Sequence, residues 1–322
     1  MIGVFIRNFQ IDPDKDKALF EKLAEPTADL LNTHLENQIE NETLWKPYEL
    51  VDYDRGRDFI KYPWRPDDYP LVSGIRSSIY VNLLTEDNLP YYTHVIRSPI
   101  PKNHPFLDWS GQWTMEESRH SDAIRDFVLT TRAIDPAYLE AGRVVQMKKG
   151  EVPEPPSIAE MLAYTSFQEK STQISHGNTS KALDKGHGGK KIFGYVAGDE
   201  LRHYNFYSGL VAAGLEIDPL TMLNAIFNQM NRFNMPGTGI PDFEEHSLAI
   251  AEAGIYDLTK FHKEVVKPTL KKWKIYDLDG LVPDAGKTIS AIDKYVKILG
   301  RTAAIQKDKI DEKIAAIALN GI

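Results

Sequence analysis

The chain has 322 residues, 42% hydrophobic and 26% charged, the balance of a soluble globular protein long enough to bury a large core. Its 38 basic against 46 acidic residues leave a net charge of −8, which argues against nucleic acid as a general partner. Cysteine is absent, so disulfides, thiolate zinc, cysteine-ligated iron–sulfur clusters, thiolate haem and cysteine nucleophiles are excluded. No apolar run reaches the length of a membrane span, and Met1–Arg7 lacks the pattern of a signal peptide, so a cytoplasmic protein is expected.

In chain order, residues 1–60 read as an irregular or partly helical opening, followed by a turn-rich stretch from Lys61 to Asp68. One helix is predicted from near Ser73 to just before Pro99, and a second from near Ser110 to Ile134. Asp135-Pro136 opens a third. After the break Val152–Pro156, Ser157 and Glu160 form a capping-box pair that starts the next helix. The turn Lys185–Lys190 separates it from a helix ending at Gly214; lacking a Gly-Lys-Ser/Thr ending, the turn reads as a connector rather than a phosphate cradle. Asp218-Pro219 opens another helix, closed by Met235-Pro236-Gly237, and the tail from Phe243 reads helical with breaks at Pro268 and Pro283. The fold class is all-α, with no composition shift that would divide it.

The chemistry is carried by a repeat. Glu116-Glu117-Ser118-Arg119-His120 and Asp199-Glu200-Leu201-Arg202-His203 both read acid-Glu-x-Arg-His. Each Glu and His are three apart, one turn along a single helix face. Glu86 precedes Glu117 by 31 residues and Glu169 precedes Glu200 by 31. Glu200 and His203 share a face with Phe193, Val196, Tyr207 and Leu210; Glu117 and His120 share one with Ile124 and Phe127; and Glu169 shares one with Leu162, Thr165, Thr172 and His176. One Glu-x-x-His is ordinarily a surface pair. Four carboxylates and two imidazoles on core-facing positions require cations. Oxygen and nitrogen donors without sulfur suit iron or manganese, and six side chains suffice for two metals with positions left open. One Glu from each of two helices with Glu-x-x-His from two more is the donor set of the ferritin-like di-metal bundle. Arg119 and Arg202 fall on neighbouring faces and receive no catalytic role.

These motifs resemble the soluble acyl-acyl carrier protein (ACP) desaturases, the stearoyl-ACP desaturase type. The likeness lies in Tyr164–Glu169 continuing to Ile174–Thr179, in Thr85–Pro90, in Trp113–His120 and in Asp199–His203. Phe233–Gly237 and Val265–Trp273 are similar to the bacterial branch, and the likeness runs from about Trp45 to about residue 275. It implies a single domain over residues 1–322, with a four-helix core at about 73–214 and flanking helices at 215–322. It implies two iron ions held by Glu86, Glu117, His120, Glu169, Glu200 and His203, with Glu117 and Glu200 as bridges. Ser118 and Leu201 depart from the family's usual residues without touching a ligand.

The activity implied is insertion of a double bond into a saturated acyl chain on ACP, using O₂ and electrons from ferredoxin, by a homodimer with no membrane span. Trp45, Trp113 and Asp199 stand where the family is thought to pass electrons, although Asp199 or Glu116 can instead fix a histidine tautomer. Thr172, one turn from Glu169, is the candidate hydroxyl beside bound oxygen. Tyr92, Val95, Ile96, Leu162 and Thr172 are candidates for an acyl slot. Six lysines between Lys260 and Lys274 form a candidate carrier-protein footprint. The competing readings are another di-iron oxidase or oxygenase on a fatty substrate, and a ferritin-like iron-binding protein.

Overall fold

The computed structural model describes residues 7–41, 43–149, 152–184, 188–237 and 239–320, and the first half of the expected glycine turn, residues 185–187, lies outside them. Thirteen α-helices are formed among the described residues: α1 (Pro13–Lys22), α2 (Ala24–Glu40), α3 (Ser73–Glu86), α4 (Leu89–Arg97), α5 (Phe106–Thr131), α6 (Pro136–Lys149), α7 (Ile158–Ala182), α8 (Gly188–Ile217), α9 (Pro219–Arg232), α10 (Phe243–Glu252), α11 (Leu258–Lys260), α12 (Lys267–Lys272) and α13 (Pro283–Asn320). No strand occurs among the described residues, and none of their helices is long and apolar enough to cross a membrane.

Helices α3, α5, α8 and α7 pack in a ring, each against the next. Two apolar clusters fill it at opposite ends. One contains Phe106, Trp109, Phe167, Tyr207 and Phe227, the other Ile79, Leu83, Phe127, Phe193 and Val196. α9 and α13 extend the first cluster, and α6 and α10 pack on α3.

The caps follow the local chemistry. Ser157 accepts from the Glu160 N–H at the start of α7, and Asp218 accepts from the Thr221 N–H at the start of α9, each worth about 1 kcal/mol. The capping box is only half made. The Glu160 carboxylate turns to Asn228 and Gln229 of α9 instead, while Asp16 of α1 accepts from the Ile158 and Ala159 amides at 2.9 and 2.8 Å.

Several boundaries differ from the sequence expectation: α5 ends at Thr131 rather than Ile134, α8 runs on to Ile217 rather than Gly214, and Gly188–Lys190 of the expected turn already belong to α8. The opening is two regular helices, α1 and α2. The helix expected to run from Ser73 to Pro99 stops at Glu86, because Pro90 has no N–H for the Glu86 carbonyl, and α4 begins afresh with that proline in its first turn. α5 starts at Phe106, four residues earlier than expected, with Pro105 before it. Pro268 breaks nothing: a π-helical turn at Phe261–Val266 absorbs it, leaving it in the first turn of α12.

Candidate metal centre

The ring of helices carries its polar layer between the two apolar clusters. Glu86 ends α3, Glu117 and His120 lie on α5, Glu169 on α7, and Glu200 and His203 on α8; all six are buried. Their donor atoms form two overlapping sets, Glu86, Glu117, His120 and Glu200, and Glu117, Glu169, Glu200 and His203, each with its atoms within 4.8 Å of one another. Glu117 and Glu200 belong to both.

Both histidines present Nδ1 to the cluster and have Nε2 tied to a carboxylate behind it. His120 Nε2 donates to Asp199 Oδ2 at 3.0 Å, and His203 Nε2 donates to Glu116 Oε2 at 2.8 Å. The acid preceding each shared Glu thus anchors the histidine of the opposite helix. A proton held on Nε2 leaves the Nδ1 lone pair facing inward, the tautomer a metal-ligating imidazole needs. His120 Nδ1 lies 3.1 Å from Glu117 Oε2, and His203 Nδ1 lies 3.0 Å from Glu117 Oε1 and 3.6 Å from Glu169 Oε2. Glu117 Oε1, Glu169 Oε2 and His203 Nδ1 are buried without a hydrogen-bond partner. Lone pairs converging in the dark of a protein core are costly unless a cation sits among them, so the donor set fits metal ions.

Electrostatics agree. Burial, reinforced by Glu117, pushes the Glu86 carboxyl well above its ordinary range, and burial with Glu117 and Glu169 does the same to Glu200. Burial also raises Glu117, but His120 and His203 outweigh it and hold Glu117 low. Burial lowers His120; for His203 the hydrogen bond to Glu116 and the neighbouring Glu117 and Glu169 carboxylates overcome burial and raise it.

Thr172 donates to Glu200 Oε2 at 2.8 Å and has the Glu169 carbonyl at 3.0 Å. Trp113 is buried, and its Nε1 donates to Glu169 Oε1 at 3.1 Å. Asp199 Oδ2 also accepts from Trp45 Nε1 at 2.8 Å and from Arg119 at 2.9 Å, and Arg202 bonds its other oxygen. The Trp45 ring lies parallel to His120 and stacks outward on the exposed Tyr195. Tyr195, Trp45 and Asp199 thus run in one chain of contacts from the surface to His120, and Trp113 contacts the Glu169 carboxylate.

Several contacts were not read from the sequence. Arg119 and Arg202, given no role, both neutralise Asp199. Glu116 is bonded by His34 and Gln38 of α2 and by Gln112 of α5. Residues 27, 31, 34 and 38 share one helical face, a signal available in the sequence. His176, two turns from Glu169, donates from Nε2 to Glu86 Oε1 at 3.0 Å, and burial pushes its imidazole down to about 3, so it is neutral.

A cleft of about 550 Å³, counted with the open solvent at its mouth, reaches Glu86 and Glu117 from the side of α4 and the Pro153–Pro155 segment. Tyr92, Val95 and Ile96 line it as expected, but Leu162 and Thr172 do not. The α7 face that meets the cleft is Met161, Tyr164, Thr165 and Gln168; Leu162 is turned into the core and Thr172 toward Glu200.

A family model described as fatty acid desaturase matches residues 16–318. The acyl-ACP desaturase DesA1 of Mycobacterium tuberculosis, so named, is 30% identical over 295 residues, covering 88% of this chain and 86% of its own. This chain belongs to the acyl-ACP desaturase family. The family's chloroplastic stearoyl-ACP 9-desaturase from Simmondsia chinensis is 29% identical over 293 residues, covering 81% of this chain and 71% of its own. The solved structure of the family member DesA2 from Mycobacterium tuberculosis superposes with a TM-score of 0.65 at 22% identity, covering 84% of this chain and 99% of that one, which shows a shared fold.

Proposed function

We propose that the protein is a di-iron, O₂-dependent acyl-ACP desaturase that introduces a double bond into a saturated acyl chain, with ferredoxin supplying the electrons. The observation that carries this reading is the pair of overlapping carboxylate–imidazole sets at the inner end of an apolar cleft. Glu86, Glu117, His120 and Glu200 would hold one iron and Glu117, Glu169, Glu200 and His203 the other. No side chain can attack an unactivated C–H bond, and an iron pair with O₂ supplies that oxidising power.

The protein's own work is positioning and exclusion of water. Asp199 and Glu116 hold the histidine tautomers; Trp113, Thr172 and His176 fix Glu169, Glu200 and Glu86. Tyr92, Val95, Ile96, Met161 and Tyr164 give the acyl chain an apolar wall that ends against Glu86 and Glu117. Tyr195, Trp45 and Asp199 offer electrons a route from the surface to His120.

For the acidic carrier protein, Lys263, Lys267, Lys271, Lys272 and Lys274 are exposed on and around α12. Phe261 of the same run stacks on Phe233 at 4.7 Å, and Phe233 packs on Tyr164 of the cleft wall at 5.7 Å. Changing Lys267, Lys271 and Lys274 together to Glu is expected to raise the KM for acyl-ACP at low salt, with the gap to wild type closing at high salt. An unchanged KM at low salt moves the footprint elsewhere.

The reading is tested by mass analysis of acyl-ACP after incubation of the full chain with iron, O₂, ferredoxin and its reductase, across a ladder of acyl lengths. New alkene is expected. Oxidised iron without alkene favours an iron-binding protein, and a hydroxylated chain favours an oxygenase.

A further inference from the structure

We propose that the acyl slot is open at its far end, so that saturated chains longer than the cleft beside Glu86 and Glu117 bind with their methyl ends threaded through a second cavity to the surface. This inference rests on the desaturase reading above and assigns Val95, Pro155 and Met161 as the neck between the two spaces.

The second cavity adjoins the cleft, and the two share three lining residues: Val95 of α4, Pro155, and Met161 of α7. Beyond these it is walled by Pro99, which follows α4, by Pro156 and Ile158 at the start of α7, and by Asp16 of α1. Pro99 and Pro156 are exposed, so its rim lies at the surface. Helix α7 measures the path. Glu169 belongs to the cluster, Thr165 and Tyr164 line the cleft, Met161 stands at the neck, and Ser157 lines the second cavity. From Glu169 to Ser157 the helix rises about 18 Å. The lysines proposed for the carrier meet the cleft wall at Tyr164, through Phe261 and Phe233, which leaves the neck for the methyl end.

The walls suit an alkyl chain. Pro99, Pro153, Pro155 and Pro156 line the two spaces, and none carries an N–H that a hydrocarbon would leave unpaired. Asp16, the one carboxylate among the residues lining the second cavity, is already engaged: its Oδ1 and Oδ2 accept from the Ala159 and Ile158 amides at 2.8 and 2.9 Å. The neck can yield on one side. Val95 is stiff at its branched β-carbon and Pro155 is held by its ring, but Met161 is unbranched, with three rotatable bonds, and can turn aside. Past Met161 no aromatic side chain lines the second cavity to stop a chain.

The experiment titrates the full chain with saturated acyl-ACPs, each two carbons longer than the last, and locates the alkene in each product of the iron-loaded chain by mass spectrometry. Once the cleft is filled, further lengthening is expected to weaken binding by no more than about threefold, because the added methylenes lie in the second cavity or beyond its rim. The alkene is expected to keep a fixed distance from the thioester. Ile158→Trp, which fills the second cavity, is expected to lower the affinity of the longest chains about tenfold relative to the shortest, while Ile158→Ala keeps that ratio at or above the wild-type value. Three results overturn the inference and leave the desaturase reading standing: wild-type affinity that collapses beyond one length, an alkene at a fixed distance from the methyl end, or a folded Ile158→Trp variant with the wild-type ratio. The first two need no variant to fold. Failure to bind any acyl-ACP overturns both.

Discussion

At the His120 corner of the cluster the outer carboxylate is gripped by two arginines and a tryptophan; at the His203 corner it is gripped by a histidine and two glutamines. The segments that build the two corners share the pattern acid-Glu-x-Arg-His, so a repeat in sequence has produced matching candidate ligands in unmatched surroundings. Arg202 stays with Asp199 three residues earlier on its own helix, whereas Arg119 leaves Glu116, crosses the bundle and joins it there. The vacated place around Glu116 is filled from α2, outside the repeat. The candidate ligands follow the duplicated helices, and the side chains around them follow whatever packs behind.

The strongest way to break the comparison is through the residues both corners share. Glu117→Ala or Glu200→Ala is expected to empty the whole cluster, while Glu86→Ala and Glu169→Ala should each spare the opposite half, as read by metal analysis of the purified chain. Equal losses in all four variants would mean that the halves do not exist as separate units.

A smaller effect is expected one layer out. Asp199→Asn and Glu116→Gln each remove a carboxylate behind a histidine, and each should weaken metal binding by about 10- to 100-fold. Their effects on stability should differ. Asp199→Asn leaves Arg119 buried without the carboxylate it bonds and is expected to cost about 3–5 kcal/mol in denaturant unfolding of the metal-free chain, whereas Glu116→Gln leaves both arginines bonded to Asp199 and should cost less. Equal stability losses would contradict the pairing of both arginines with Asp199.

The mildest change is Thr172→Val. It deletes one hydrogen bond to Glu200 and is expected to lower stability by about 1 kcal/mol with metal content preserved. Loss of metal in this variant would move Thr172 from supporting a ligand to forming the site.

Much of this was legible in the sequence because the signals were local. The Glu-x-x-His pairs fix their own geometry on a helix, and Ser157 and Asp218 announce their helices by the amides they accept. What escaped depended on distance along the chain. Helix α2 has a mostly polar sequence, and nothing local to His34 or Gln38 marks Glu116, 82 and 78 residues away, as their partner. The cleft wall was misplaced by a single residue, because on a helix Met161 and Leu162 point about 100° apart and both are apolar. Pro90 and Pro268 show the opposite hazard: the same residue ends one helix and is absorbed in another, according to whether a π turn precedes it.

The central claim is that a pair of coupled metal ions sits between α3, α5, α7 and α8. Mössbauer spectroscopy of the iron-loaded full chain, with iron counted per chain, tests it most directly. A magnetically coupled pair of irons in the wild type, absent from Glu200→Ala and from His203→Ala, is the predicted result. Isolated, uncoupled iron in the wild type, or full iron content in both variants, would contradict it.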